Sequence, residues 1–432
     1  MSGGLTRTGD WLGQPRGLTV LFLTEMWEKF SFYGMRALLV YYMTKQLMIP
    51  QAQASLIYGI YTALVYLTPI FGGVIADRWL GRRKAVIIGG SMMALGHLLM
   101  TFEGSFYPAL AAIALGNGLF LPSLPSQIDA LYAVDDPRRK SAYSVYYMGV
   151  NLGAFLAPLG CGAVGEIWGW HWGFGLAGIG MGVGLLIYIL GGRHLPADTR
   201  IALKVEGAAP VGFGSSLAVL LAIVGAVVVF RMAYEQTGNT IALWADQGID
   251  RALSADWSIP MTWFQSLNPL LVFILTPILV TTWTRRAARG REPSAATRMA
   301  VGAALVAAAF VAIGVASFLS AQRGEPTSWV WLAGFFILLT WGELHILPTG
   351  LGLFGRLAPA GLGATAIAIW FFAAFAGNLL AGGLGMLWSS LRAFEFFFLT
   401  AGVAGLSAVL LLLLVPAVRR LEARERRGEV QP

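Results

Sequence analysis

The chain has 432 residues, 57% hydrophobic and only 12% charged, with a formal net charge of +8 and a mean hydropathy of +0.68. This composition excludes a soluble globular domain and marks an integral membrane protein. No basic face on a soluble module carries the positive charge, which argues against a nucleic-acid partner, and the single Cys161 excludes an intrachain disulfide.

Apolar stretches of spanning length run near 18-48, 54-76, 83-103, 108-133, 142-164, 170-192, 214-244, 260-284, 298-320, 329-355, 361-390 and 394-418, twelve in all. The first 17 residues lack a short apolar core with a small-residue cleavage site, so the first span is expected to act as the insertion signal. Twenty-three of the 30 Lys and Arg fall at the two ends of the chain and in the loops after even-numbered spans. Lys45, Arg251, Arg323 and Arg392 lie on the opposite side, and Lys29, Arg36 and Arg231 lie within spans. That asymmetry predicts a multi-pass protein of the cytoplasmic membrane with both termini cytoplasmic.

The first span carries Glu25, Glu28, Lys29 and Arg36. Each charge costs roughly 2.5 to 3.5 kcal/mol at a bilayer centre, so the four must face a protein interior or a wet cavity. With Glu25 at zero and about 100° per residue, Glu28 falls near −60°, Phe32 near −20°, Arg36 near +20°, Lys29 near +40° and Tyr33 near +80°. All six share one face, which reads as a buried working site or as a self-satisfied ion cluster that fixes packing. In the second span, Tyr66 precedes Leu67-Thr68-Pro69-Ile70, a string that recurs as Leu275-Thr276-Pro277-Ile278 in the eighth. The fourth span holds Gly116-Asn117-Gly118-Leu119-Phe120-Leu121-Pro122-Ser123, echoed in the tenth by Gly342-Glu343-Leu344-His345-Ile346-Leu347-Pro348-Thr349. Asn151-Leu152 in the fifth span is matched by Asn378-Leu379 in the eleventh. Pairing of span n with span n+6 predicts two six-helix bundles in parallel repeat, with a substrate site at mid-membrane between them. The expected domains are residues 1-192, a cytoplasmic linker 193-213, a second bundle 214-418 and a basic tail 419-432.

Farther along, Arg231 and Glu235 lie one turn apart on the seventh span, positioned for an ion pair with each other or for work on a ligand. Asn268 in the eighth and Asn151 in the fifth have the groups to hydrogen-bond a ligand or a neighbouring helix. Glu343 in the tenth has no basic residue three or four positions away, so it must meet a cation from another helix, a ligand amine or a proton. His345, about 200° round from Glu343, reads as a packing residue, and Trp370 with Tyr66 as pocket walls or packing. Gly350-Leu351-Gly352-Leu353-Phe354-Gly355 matches G-x-G-x-x-G but lies in a membrane span with no strand before it, which removes the basis for pyrophosphate binding. Neither a Walker phosphate loop nor a metal-ligand spacing occurs. No enzyme, metal or other cofactor is expected.

Glu25-x-x-Glu28-Lys29-Phe30-Ser31-Phe32-Tyr33-Gly34 resembles the first-helix E-x-x-E-R/K-F motif of the proton-dependent oligopeptide transporters, a branch of the major facilitator superfamily. Gly72-Gly73-Val74-Ile75-Ala76-Asp77-Arg78-Trp79-Leu80-Gly81-Arg82-Arg83 is similar to that family's loop between helices two and three. The run Tyr143 to Phe155 is similar to its fifth-helix signature, and Trp263-Phe264-Gln265-Ser266-Leu267-Asn268-Pro269 and Gly342-Glu343-Leu344 to its eighth and tenth helices. The resemblance implies an all-α major facilitator fold and import of di- and tripeptides coupled to protons. It further implies proton coupling by Glu25, Glu28 and Lys29, an outer gate of Arg36 with Glu235, a peptide-amine contact at Glu343 and peptide-backbone contacts at Asn151 and Asn268. Together with the reading of the residues, the candidate sites are Glu25, Glu28, Lys29 and Glu235 for proton coupling, and Tyr33, Arg36, Tyr66, Asn151, Arg231, Asn268, Glu343 and Trp370 for the substrate. The chain departs from the pattern at Leu121, where a lysine is usual, and at Arg231, where an aromatic is common. Its linker of about twenty residues has no room for the two extra inter-bundle helices of many bacterial members. Charge balance predicts that Arg231 replaces the missing lysine. A non-peptide solute on the same fold, such as nitrate, an organic acid or a drug, and a peptide-binding receptor that moves nothing are the alternatives.

Overall fold

The computed structural model describes residues 11–133, 135–197, 213–357 and 363–426; most of the expected linker and the end of the basic tail lie outside them. The described residues are almost wholly helical. Their long helices are α1 (Arg16–Tyr41), α2 (Gln51–Ile75), α3 (Arg82–Leu99), α4 (Phe106–Ser123), α5 (Arg139–Ala157), α6 (Trp170–Leu190), α7 (Phe213–Tyr234), α8 (Leu267–Ala288), α9 (Ala295–Arg323), α10 (Trp329–Leu357), α11 (Gly363–Gly385) and α12 (Ala393–Arg426). Ten helical segments, those built on α2 and on α4 to α12, are long and apolar enough to cross a membrane. Charge sets the other two apart: α1 holds Glu25, Glu28, Lys29 and Arg36, and α3 opens on Arg82, Arg83 and Lys84. Large apolar side chains such as Phe71, Ile179, Leu186 and Leu413 stand exposed, as expected where lipid is the solvent.

The chain divides into two compact units, Met1–Leu39 with Leu67–Leu203, and Val40–Tyr66 with Lys204–Pro432. In the first, α3 packs along α4 and the Thr68 hydroxyl of α2 donates to the Ala114 carbonyl of α4 at 2.7 Å. Small residues permit such close backbone approach. At Gly153 of α5 a Cβ would lie 2.1 Å from the Met26 carbonyl of α1 and 3.0 Å from the Lys29 Cβ, so only glycine lets α5 rest on the charged turn of α1.

In the second unit α9 packs against both α10 and α12, burying a run of small side chains, Ala296, Ala300, Ala303 and Ala309, among Phe310, Phe335, Phe336 and Phe396. A Cβ on Gly342 of α10 would meet the Gly302 carbonyl of α9 at 2.5 Å. This contact seats the turn that carries Glu343. The segment Val40–Tyr66 is tied to the same unit by Tyr41 to the Ala242 carbonyl at 2.7 Å, Ser55 to Asn239 at 2.9 Å and a Lys45–Asp246 ion pair at 2.7 Å. Two short parallel strands, β1 (Ile249–Asp250) and β2 (Thr327–Ser328), pair Ile249 with Thr327 and Asp250 with Ser328.

The sequence echoes have structural counterparts. Pro69 and Pro277 lie inside α2 and α8, and Pro122 and Pro348 inside α4 and α10. Asn151 of α5 donates to the carbonyl one turn back, Tyr147, at 3.0 Å, and Asn378 of α11 does the same to Ala374 at 2.9 Å.

Candidate functional site

Residues of α1 build the first cluster. One helical turn brings Lys29 Nζ to 2.7 Å from Glu28 Oε2 and 3.3 Å from Glu25 Oε1, with Glu28 wholly buried and Glu25 nearly so. One ammonium thus answers two carboxylates. Glu25 Oε2 and Glu28 Oε1 are buried without a hydrogen-bond partner among the described residues. The buried Tyr146 hydroxyl of α5 lies in the field of both acids. Higher on α1, Tyr33 stands edge-on to Phe32 with ring centroids 5.3 Å apart, and Arg36 is half-buried. Ser31, on the far side of the charged face, donates to the Ala177 carbonyl of α6, which fixes the rotation of α1.

A second cluster lies in the second unit. Arg231 Nη1 meets Glu235 Oε1 at 2.8 Å, both buried, and the guanidinium stands 5.3 Å from the centre of the Tyr66 ring, a cation–π contact. Across from α7, Asn268 Nδ2 of α8 donates to Glu343 Oε2 at 2.6 Å and lies 3.0 Å from the Thr340 hydroxyl of α10. Arg231 and Tyr234 of α7 act on the Glu343 carboxylate as well. No lysine or arginine pairs directly with Glu343 among the described residues, and Asn268 is its short contact. The cluster therefore presents a half-buried acid, a buried guanidinium already engaged by a neighbouring carboxylate, and an aromatic face. This set suits a solute that brings both a cation and an anion.

The structure thus brings Tyr66, Arg231, Glu235, Asn268 and Glu343 together in one unit, and Glu25, Glu28 and Lys29 on one turn in the other. Asn151 spends its amide donor on its own helix. Trp370 is buried, its ring 5.4 Å from that of Phe354 and pressed onto Gly350, which makes it core. His345 Nδ1 is 2.8 Å from the Trp341 carbonyl, and Cys161 is buried beside Gly34. Sequence reasoning missed Thr340, Tyr234 and Tyr146. Thr340 precedes Glu343 by one turn, a spacing that could have flagged it; hydroxyls in apolar helices are too common for Tyr146 to stand out. No group of three or more His, Cys, Asp or Glu able to hold a metal occurs among the described residues.

The PTR2 profile, described as the POT family, matches residues 83–204 and 214–393. The chain belongs to the POT family. It is 31% identical to a di-/tripeptide transporter of Lactococcus lactis subsp. cremoris over 93% of this chain and 95% of that protein. Identity is 33% with the peptide transporter YePEPT of Yersinia enterocolitica, over 95% of each chain. A crystal structure of the peptide transporter POT in complex with sulfate superposes with a TM-score of 0.89 at 29% identity, covering 95% of this chain and 96% of that one. These relatives are POT transporters, and this member is likewise a multi-pass transporter and no enzyme.

Proposed function

We propose that the chain is a proton-coupled symporter that imports di- and tripeptides across the cytoplasmic membrane by alternating access. The observation that carries this reading is the Glu343 carboxylate, held by Asn268 beside Arg231, in a chain of this family. A zwitterionic peptide needs fixed charges of both signs in a dry site, and α7 and α10 supply them. Glu343 receives the peptide amine, Asn268 serves its backbone, and Tyr66 shapes the site. Twelve spans, both ends of the chain on the cytoplasmic side and the absence of inter-bundle helices complete the proposal. The alignment with YePEPT runs over 491 positions, more than the 432 residues of this chain, so the relative carries segments that this chain lacks.

Coupling follows from charge counting. Counted over both units, Glu25, Glu28, Glu235 and Glu343 outnumber Lys29, Arg36 and Arg231 by one, so one carboxylate is in excess and takes the proton. Arg231, standing in for the lysine absent at Leu121, is bound by Glu235. A proton on Glu235 releases that guanidinium to a peptide carboxylate and at the same time frees Arg36 from its proposed gate role with Glu235. The pH-gradient-driven uptake of a dipeptide into proteoliposomes tests the reading, with Glu25→Gln and Glu343→Gln beside wild type. Uptake by wild type that ignores the gradient, or counterflow of nitrate or an organic acid in place of peptide, would overturn it. Undiminished affinity and uptake in Arg231→Ala would remove Arg231 from the mechanism.

A further inference from the structure

A cavity of about 650 Å³ opens at the end of the second unit where α8 finishes, α9 begins and α10 and α12 terminate. Its walls include Trp283, Arg298, Thr349, Arg356, Arg419 and Glu422. Three guanidiniums therefore converge on one chamber. Glu292, about half exposed at the rim, takes Nη2 of the mostly buried Arg298 guanidinium. Glu422 is deeper: it accepts the Ala295 amide at the start of α9 at 3.1 Å and lies 3.8 Å from Arg356. Arg419 adds a positive charge beyond these two pairs. Two donors on the wall, Arg298 Nε and the Thr349 hydroxyl, are buried with no hydrogen-bond partner among the described residues. The Arg298 guanidinium stands 4.9 Å from the Trp283 ring centre, which fixes its plane. Buried unpartnered donors beside surplus positive charge call for a multi-oxygen anion.

We propose that this chamber binds a phosphate-bearing anion at the cytoplasmic face, through Arg298, Thr349 and Arg419. The volume exceeds that of one phosphate and suits a headgroup or a phosphorylated small molecule. The phosphate group comes either from an anionic phospholipid of the inner leaflet or from a soluble phosphate. None of these residues belongs to the proposed peptide site, so binding here is measurable whether or not peptide transport is established.

The test uses the purified full chain in detergent, titrated with inorganic phosphate, and by native mass spectrometry with phosphatidylglycerol against phosphatidylcholine. Saturable binding of phosphate or of phosphatidylglycerol is expected, and competition between the two assigns both to one chamber. Phosphate binding alone identifies a soluble source, and lipid binding that phosphate leaves untouched identifies the headgroup. Arg298→Gln and the exposed Arg419→Gln should each weaken the bound species about ten-fold, the equivalent of about 1.4 kcal/mol. Glu422→Gln, which removes the competing charge, should tighten it. The proposal fails if neither probe binds above the phosphatidylcholine or chloride controls. It also fails if Arg419→Gln, with an unchanged melting temperature, binds as wild type does.

Discussion

Lys29 serves two buried carboxylates from a single turn of α1, so its removal strands both. Breaking a buried ion pair by deleting one partner costs about 3–5 kcal/mol, because the remaining charge keeps its desolvation penalty. Lys29→Gln is therefore expected to lower the melting temperature sharply, and the double substitution Glu28→Gln with Lys29→Gln to recover part of the loss, since Glu25 stays uncompensated. A double variant as unstable as the single one would show that Glu28 is not the stranded group. At the other cluster, Asn268 donates to Glu343 at 2.6 Å, and a hydrogen bond to a charged group is worth about 1.5–3 kcal/mol. Asn268→Ala should weaken dipeptide binding about ten-fold or more while leaving the fold intact, as measured by competition with a labelled dipeptide. Affinity equal to wild type would mean that Glu343 does not need Asn268 for its orientation.

At the scale of elements, helix approach depends on glycines, Gly153 and Gly342 among them. A methyl group at Gly153 would meet the α1 backbone, and one at Gly342 would meet the α9 backbone, at 2.1 and 2.5 Å. Overpacking of this kind typically costs about 1–3 kcal/mol. Gly153→Ala and Gly342→Ala are expected to lower the melting temperature, whereas Gly182→Ala on α6, with nothing within 4 Å of the new atom, should leave it unchanged or raise it. Equal effects at all three positions would contradict the packing. The helices themselves were legible in the chain because apolar runs of spanning length, repeated prolines and the paired Asn151 and Asn378 are local signals. The six-residue charged face of α1 was legible too, since helical period alone aligns it. Partners were not: Ser55 with Asn239, or Asn268 with Glu343, join residues far apart in sequence, and no periodicity encodes such a pair. Nor does an aromatic at a helix face declare itself wall or core, and Trp370 turned inward onto Phe354.

For the whole molecule, the decisive quantity is the charge that crosses per cycle. A zwitterionic dipeptide with one proton moves a single net positive charge, and each such charge gains about 2.3 kcal/mol per 100 mV of inward potential. By the tenfold-per-1.4 kcal/mol rule that is about fifty-fold in accumulation. Uptake should therefore persist when the pH gradient is abolished and only a potassium-diffusion potential remains. Reversing that potential should suppress it by a comparable factor. A dipeptide carrying a net positive side chain should respond more steeply to potential, and one carrying a net negative side chain should lose most of its response, since the proton then only neutralises it. Liposomes with imposed potentials and matched internal pH separate these cases. If zwitterionic uptake followed the pH gradient but ignored the potential, an electroneutral cycle would be required. The single excess carboxylate among Glu25, Glu28, Glu235 and Glu343 would then be the wrong charge count for this transporter.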